Sequence, residues 1–143
     1  IRNTFSDAES KTVNSQEFDP SAKHKVIHII EDKKYVEQIG GTLRLGSYPA
    51  KLKAGSLAKK IYNKPQIDER HRHRYEFNNN YEDVLARGGL EISGRSPDGS
   101  LAEVIESPTD RFFIGVQYHP ELKSRPESAH PLFVDFLRAS AKI

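Results

Sequence analysis

A hydrophobic run, Phe112-Phe113-Ile114-Gly115-Val116, continues through Gln117-Tyr118 and stops abruptly at His119-Pro120-Glu121. The run reads as a buried strand, so the chain must fold into a sheet with enough cover to hide it. Where the run ends is equally informative. His119 falls at the passage from strand to loop, and Glu121 is near enough to accept a hydrogen bond from one imidazole nitrogen. Such a bond fixes the tautomer and leaves the other nitrogen to take a proton. These are the base and orienter of a nucleophilic triad, yet the sequence contains no cysteine. A His-x-Glu at a strand terminus also has a bland reading, as a pair with no partner. Its place after a buried strand favours function, because catalytic side chains gather at strand ends on such sheets.

The length, 143 residues, suits one domain with a core. Hydrophobic residues make up 36% and charged residues 29%, but the charges nearly cancel at +2. A balance of that kind projects no strong field, so neither nucleic acid nor an anionic membrane is implied. The absence of cysteine excludes disulfides and thiolate metal sites. No apolar run approaches bilayer length and no signal-peptide pattern opens the chain, which makes the cytoplasm the expected location. There is no methionine either, and the first residue is Ile1. The expectation is a piece of a longer polypeptide.

Residues 1–25 read as irregular, with Asn, Asp, Ser and Pro recurring without an apolar period. Val26 to Ile30 reads as a short buried strand, and Lys33 to Gln38 as charged surface. Gly40 to Gly46 suggests a half-buried strand entered through a tight turn, which Pro49 ends or bends. Ser56 is a plausible N-cap for a helix through Tyr62, with Leu57 and Ile61 on one face. Arg70 to Phe77 alternates as a strand, and a helix follows from about Tyr81 to Arg87, capped by Gly88 or Gly89. Leu90 to Gly94 and Leu101 to Ile105 form a hairpin across Ser96-Pro97-Asp98-Gly99. Phe112 to Tyr118 is the most hydrophobic strand. His130 to Lys142 is a terminal helix with Leu132, Phe133, Phe136 and Leu137 as its apolar stripe. The fold class expected is α/β: a sheet flanked by helices, with part of the helical cover absent.

On a strand over Arg70-His71-Arg72-His73-Arg74-Tyr75-Glu76, Arg70, Arg72, Arg74 and Glu76 share one face, and His71, His73 and Tyr75 the other. An arginine held on a strand presents a rigid fork suited to a carboxylate. The bland alternative is a solvated edge strand whose charges discourage aggregation. His71 and His73 leave a metal site open, with no third ligand identified. Interleaved Arg and Tyr also suit RNA, against which the near-neutral charge argues. Glu17 lies in a polar turn and reads first as an exposed acid. The glycines follow neither the P-loop nor the dinucleotide-binding pattern.

Taken together and in order, the segments GGTLRLG, ERHRHRYEFNN, GLEISGRSPDG, GVQYHPELKSRP and HPLF resemble the glutaminase domain of the CTP synthase family. The likeness runs from about Asn14 to the terminal helix. HPE alone indicates only the wider class I glutamine amidotransferases, whereas ERHRHRYEFNN with the SRP and HPLF segments is narrower. The resemblance implies a flavodoxin-like amidotransferase domain with a Cys-His-Glu triad. It implies release of ammonia from L-glutamine, passed through a tunnel to a synthase domain that uses ATP and Mg2+ to activate UTP and form CTP. GTP as activator and a homotetramer are implied for the full enzyme. By position, His119 is the base and Glu121 its orienter, Glu17 receives the glutamine α-amino group, and Arg74 binds near its carboxylate.

One departure is plain: the family's GxCLGMQ nucleophile turn is not in the sequence. Ile1-Arg2-Asn3 resembles the end of the helix that follows that turn. The expectation is therefore that residues 1–143 are the C-terminal part of the amidotransferase domain. The N-terminal half, the thiol and the synthase domain would lie upstream, and the chain alone would be inactive. Two alternatives stand beside this: a fragment of a γ-glutamyl peptidase-like hydrolase, and a non-catalytic remnant acting as a binding module. ERHRHRYEF and SRP count against the first. The joint retention of Glu17, Arg74, His119 and Glu121 counts against the second.

Overall fold

The computed structural model describes residues 1–29 and 43–141. Ile30, the charged stretch Lys33–Gln38, Gly40-Gly41-Thr42 and Lys142, all given readings above, lie outside the described residues. The architecture is mixed α/β, as expected. Among the described residues eight strands form two sheets: β1 (Val13–Ser15), β2 (His24–Ile29), β3 (Arg44–Leu52), β4 (Gln66–His73), β5 (Tyr75–Phe77), β6 (Glu91–Arg95), β7 (Ala102–Glu106) and β8 (Ile114–Val116). The larger sheet has the order β4-β3-β6-β7-β8 and is antiparallel throughout. The smaller has the order β1-β2-β5, with β1 parallel and β5 antiparallel to β2.

Among the described residues four α-helices accompany them: α1 (Asp7–Ser10), α2 (Leu57–Tyr62), α3 (Glu82–Arg87) and α4 (Pro131–Ala141). Ser56 caps α2 as expected, its hydroxyl accepting from the Lys59 N–H at 3.1 Å. A second cap comes from across the sheet. The Glu106 carboxylate, at the end of β7, accepts from the Leu57 N–H at 2.7 Å and the Ala58 N–H at 3.0 Å. Three of the helix's four orphan donors are thus satisfied, and the negative charge sits at the positive end of the helix dipole. The β6–β7 hairpin turns on Asp98, whose Oδ1 accepts from the Ser96 and Ser100 hydroxyls at 2.6 and 2.7 Å. Gly99 there has φ +78°, a left-handed conformation that glycine adopts without steric cost.

The apolar core lies on the larger sheet under α2 and α4. It is built from Ala50, Leu52, Ala58, Ile67, Val104, Tyr118 and Leu132. Along β4, Ile67, Glu69 and His71 are buried while Gln66, Asp68, Arg70 and Arg72 are exposed. The histidine-bearing face therefore turns inward, and the arginine-bearing face meets water.

Several expectations are corrected. Pro49 does not end its strand: it pairs with Asp68 inside β3, which runs on to Leu52. Strand β6 meets β3 only at Lys51 and Leu52, so no ladder on that flank requires an N–H from Pro49. Residues 70–77 are not one strand. The chain leaves the larger sheet at Arg74 and enters the smaller one as β5, which shifts the alternation and buries Glu76 instead of leaving it beside the arginines. The strand expected over Phe112–Tyr118 shortens to Ile114–Val116, with Phe113 45% exposed. On α4 only Leu132 of the apolar stripe is buried, and Leu137 is 65% exposed. The first 25 residues are more ordered than their composition suggests. Val13, at 1% exposure, anchors β1 against β2, a tertiary contact with no local periodic signal.

Candidate active site

Tyr118 and Pro120 hold His119 from both sides. The Tyr118 ring is buried, and its hydroxyl hydrogen-bonds that of Tyr62 at 2.9 Å. Burial is the main cause that pushes the Tyr118 phenol upward, so it remains protonated. The His119 N–H donates to the Arg70 carbonyl at 2.8 Å, which ties this histidine to the middle of β4. Pro120 then starts a 3-10 turn, Pro120–Leu122, with its fixed φ suited to the first position. That turn brings Glu121 back beneath the imidazole.

His119 Nδ1 and Glu121 Oε1 are 2.7 Å apart. Since an ionised carboxylate only accepts, Nδ1 carries the proton and Nε2 presents its lone pair. Desolvation acts to raise the Glu121 carboxyl. The hydrogen bond from its own backbone N–H, the bond and charge of His119, and nearby Arg72 outweigh that effect and hold it below the usual carboxylate range. The ring's side chain is 35% exposed and that of Glu121 58%. The pair faces solvent at the sheet's edge and is accessible to a reacting group.

Glu17 and Arg74 sit together at one end of the smaller sheet. Gln16 is fastened there: its N–H donates to the Ile27 carbonyl at 2.8 Å, and its side-chain oxygen accepts from the Ile29 N–H at 2.9 Å. Glu17 follows directly and is exposed. On the other flank of β2, Tyr75 pairs with Ile29, which places Arg74 at the same end. Arg70, which holds His119, precedes Arg74 by four residues, roughly 13 Å along an extended strand. Glu17 and Arg74 thus lie towards one end of the smaller sheet, and His119 is bonded to β4 of the larger.

Sequence reasoning left His71 and His73 unassigned, and the structure gives them a place. Behind the exposed arginines, Arg44 and Glu103 form a fully buried ion pair at 2.6 Å. His71 Nε2 lies 3.7 Å from the other Glu103 oxygen, and His71 Nδ1 contacts His73 Nε2 at 2.9 Å. Burial foremost, and then the Arg44 charge, push His71 down to about 2 and His73 to about 4, so both rings are neutral. Burial likewise raises the Glu103 carboxyl, against the pull of Arg44. Among the described residues no group of three or more His, Asp or Glu side chains is arranged to hold a metal ion. His130, from the HPLF segment, serves the fold: its Nδ1 accepts from the Leu132 N–H at 3.3 Å and its Nε2 meets buried Glu69 at 3.1 Å. The alternation of β4 already grouped Glu69, His71 and His73; the partners Arg44 and Glu103 come from strands distant in sequence.

The family model for glutamine amidotransferase class-I matches residues 11–139. CTP synthases of Staphylococcus aureus strains JH9 and Newman are each 51% identical to the chain over 129 residues, covering 90% of it. The glutaminase domain of Trypanosoma brucei CTPS, solved with bound acivicin, superposes with a TM-score of 0.82 at 36% identity over 92% of the chain. The chain spans 24% of the length of those Staphylococcus relatives and 52% of the solved trypanosomal chain.

Proposed function

The chain belongs to the class I glutamine amidotransferase family, and from that premise we propose that it contributes the base, the orienter and the substrate clamp of a glutamine-hydrolysing site in a CTP synthase. The observation that carries this reading is the His119–Glu121 contact at 2.7 Å, on an accessible ring anchored to β4. Similarity to CTP synthases over 90% of the chain supplies the context.

In this mechanism L-glutamine lies with its α-amino group on Glu17 and its carboxylate on the Arg74 fork. His119 Nε2 takes the proton of a cysteine thiol that these residues do not include. The thiolate adds to the side-chain amide carbon, and Glu121 stabilises the resulting imidazolium. His119 then gives that proton to the departing nitrogen, which leaves as ammonia. A water molecule, deprotonated by the same nitrogen, cleaves the thioester and frees glutamate. The ammonia aminates UTP that has been activated with ATP and Mg2+, in an enzyme that GTP stimulates, that assembles as a homotetramer and that works in the cytoplasm. Among the described residues no group of three or more His, Asp or Glu side chains is arranged to hold a metal ion, and no step through Mg2+ is assigned to them.

In the intact enzyme, His119→Ala is expected to abolish glutamate release and glutamine-dependent CTP formation, while CTP formation from added ammonium persists. Loss of both routes together, or of neither, would refute the assignment. The 143 residues by themselves are expected to release no glutamate from glutamine, because the covalent step needs the thiolate. Release above buffer that disappears in His119→Ala would contradict that expectation.

A further inference from the structure

The two histidines behind the arginine face form a chain of hydrogen bonds whose direction follows from its end. His73 Nδ1 lies 2.9 Å from the Tyr75 carbonyl oxygen. A carbonyl only accepts, so Nδ1 carries the proton and His73 Nε2 has none. That bare nitrogen meets His71 Nδ1 at 2.9 Å, which must therefore be the donor. His71 Nε2 is then bare as well, in keeping with its 3.7 Å separation from Glu103, too long for a hydrogen bond. Both rings are fixed in one tautomer. His71 has no room to turn: it is 1% exposed, edge-on to the Tyr48 ring at 5.5 Å and close to that of Tyr118 at 6.0 Å.

The location of this chain gives it a task. The His73–Tyr75 bond spans Arg74, the residue at which the backbone leaves β4 and enters β5. At the other end His71 packs on Tyr118, the neighbour of His119. We propose that His73, held by His71, is a positioning residue for Arg74: it sets the break between the two sheets so that the guanidinium is presented to the carboxylate of glutamine. The inference rests on the reading of Arg74 given above. The rings' neutrality keeps the chain of bonds intact throughout the physiological pH range.

The test uses the full chain in solution. Nitrogen-15 imidazole spectra between pH 6 and 8 are expected to show His71 and His73 both protonated at Nδ1; an Nε2-protonated His73 overturns the proposal without any substitution. His73→Leu removes the donor to Tyr75, and amide exchange over Tyr75–Phe77 is expected to accelerate at least tenfold. Affinity for L-glutamine, titrated by chemical shift, is expected to weaken about tenfold. In His73→Asn the side-chain amide nitrogen takes the place of Nδ1, and both quantities are expected to stay within about twofold of wild type. If His73→Leu moves neither quantity, or His73→Asn behaves like leucine, His73 does not position Arg74. Arg74→Ala tests the underlying reading separately: unchanged glutamine affinity there refutes the role of Arg74, while the exchange data still judge the hydrogen-bond chain.

Discussion

The His119 ring is oriented by one bond to a carboxylate that is itself largely in water. Such a partner directs the tautomer but is screened, so its removal should be felt less than that of a buried one. For the intact enzyme, Glu121→Gln is expected to lower kcat for glutamine hydrolysis by about 10²-fold with little change in KM. Steady-state glutaminase assays check this. His71 and His73 make a different, thermodynamic prediction. Both take up protons only well below the ordinary histidine value of 6.5, at about 2 and about 4. As pH falls through 6.5, the unfolded chain binds protons that the folded chain refuses, so stability is full above 6.5 and declines with acid. The decline attributable to His73 ends near pH 4, and that of His71 continues towards 2. Each ring contributes at most about 1.4 kcal/mol per pH unit. Urea denaturation at pH 7, 6 and 5 should show this slope, reduced by one ring's share in His73→Asn.

Helix α2 has only six residues, too few to persist on local propensity. Its place is set by Ser56 locally and by Glu106 from the far side of β6. Ser56→Ala is expected to cost about 1 kcal/mol. Glu106→Ala, which strands the buried N–H of Ala58 and the part-buried one of Leu57, should cost more, about 2–4 kcal/mol. Chemical denaturation of the two variants tests the order. The β6–β7 pairing contains a tighter constraint. A Cβ added to Gly94 would lie 2.6 Å from Val104 Cγ2 and 2.9 Å from Val104 Cβ. Both clashing atoms belong to a β-branched side chain in the packed core, which has little freedom to move. Gly94→Ala is therefore expected to destabilise by about 1–3 kcal/mol, read from the same denaturation curves.

The buried apolar core belongs to the larger sheet, whereas the smaller sheet is short-stranded and only half-buried along β2. Hydrogen exchange followed by mass spectrometry should find β3, β6 and β7 more strongly protected than β1 and β2. Equal protection would mean that the two sheets open as one unit. The proposed site draws on both, with His119 on the larger and Glu17 and Arg74 on the smaller, so motion between the sheets would loosen the clamp before it disturbed the base. Much of this was legible in the residues. Period-two alternation placed His71 and His73 on one face of a strand opposite Arg70 and Arg72, Ser56 marked the start of α2, and Pro97-Asp98-Gly99 marked the hairpin, because each is a local signal of backbone geometry or solvent exposure. The ordered motifs carried the family resemblance, and the spacing of His119-Pro120-Glu121 carried the contact between the imidazole and the carboxylate. Tertiary structure alone decided the break at Arg74, the burial of Arg44 with Glu103, the second cap from Glu106 and the continuation of β3 through Pro49. Each depends on which distant strand lies alongside, and pairing between strands far apart in the chain leaves no period for a single sequence to display.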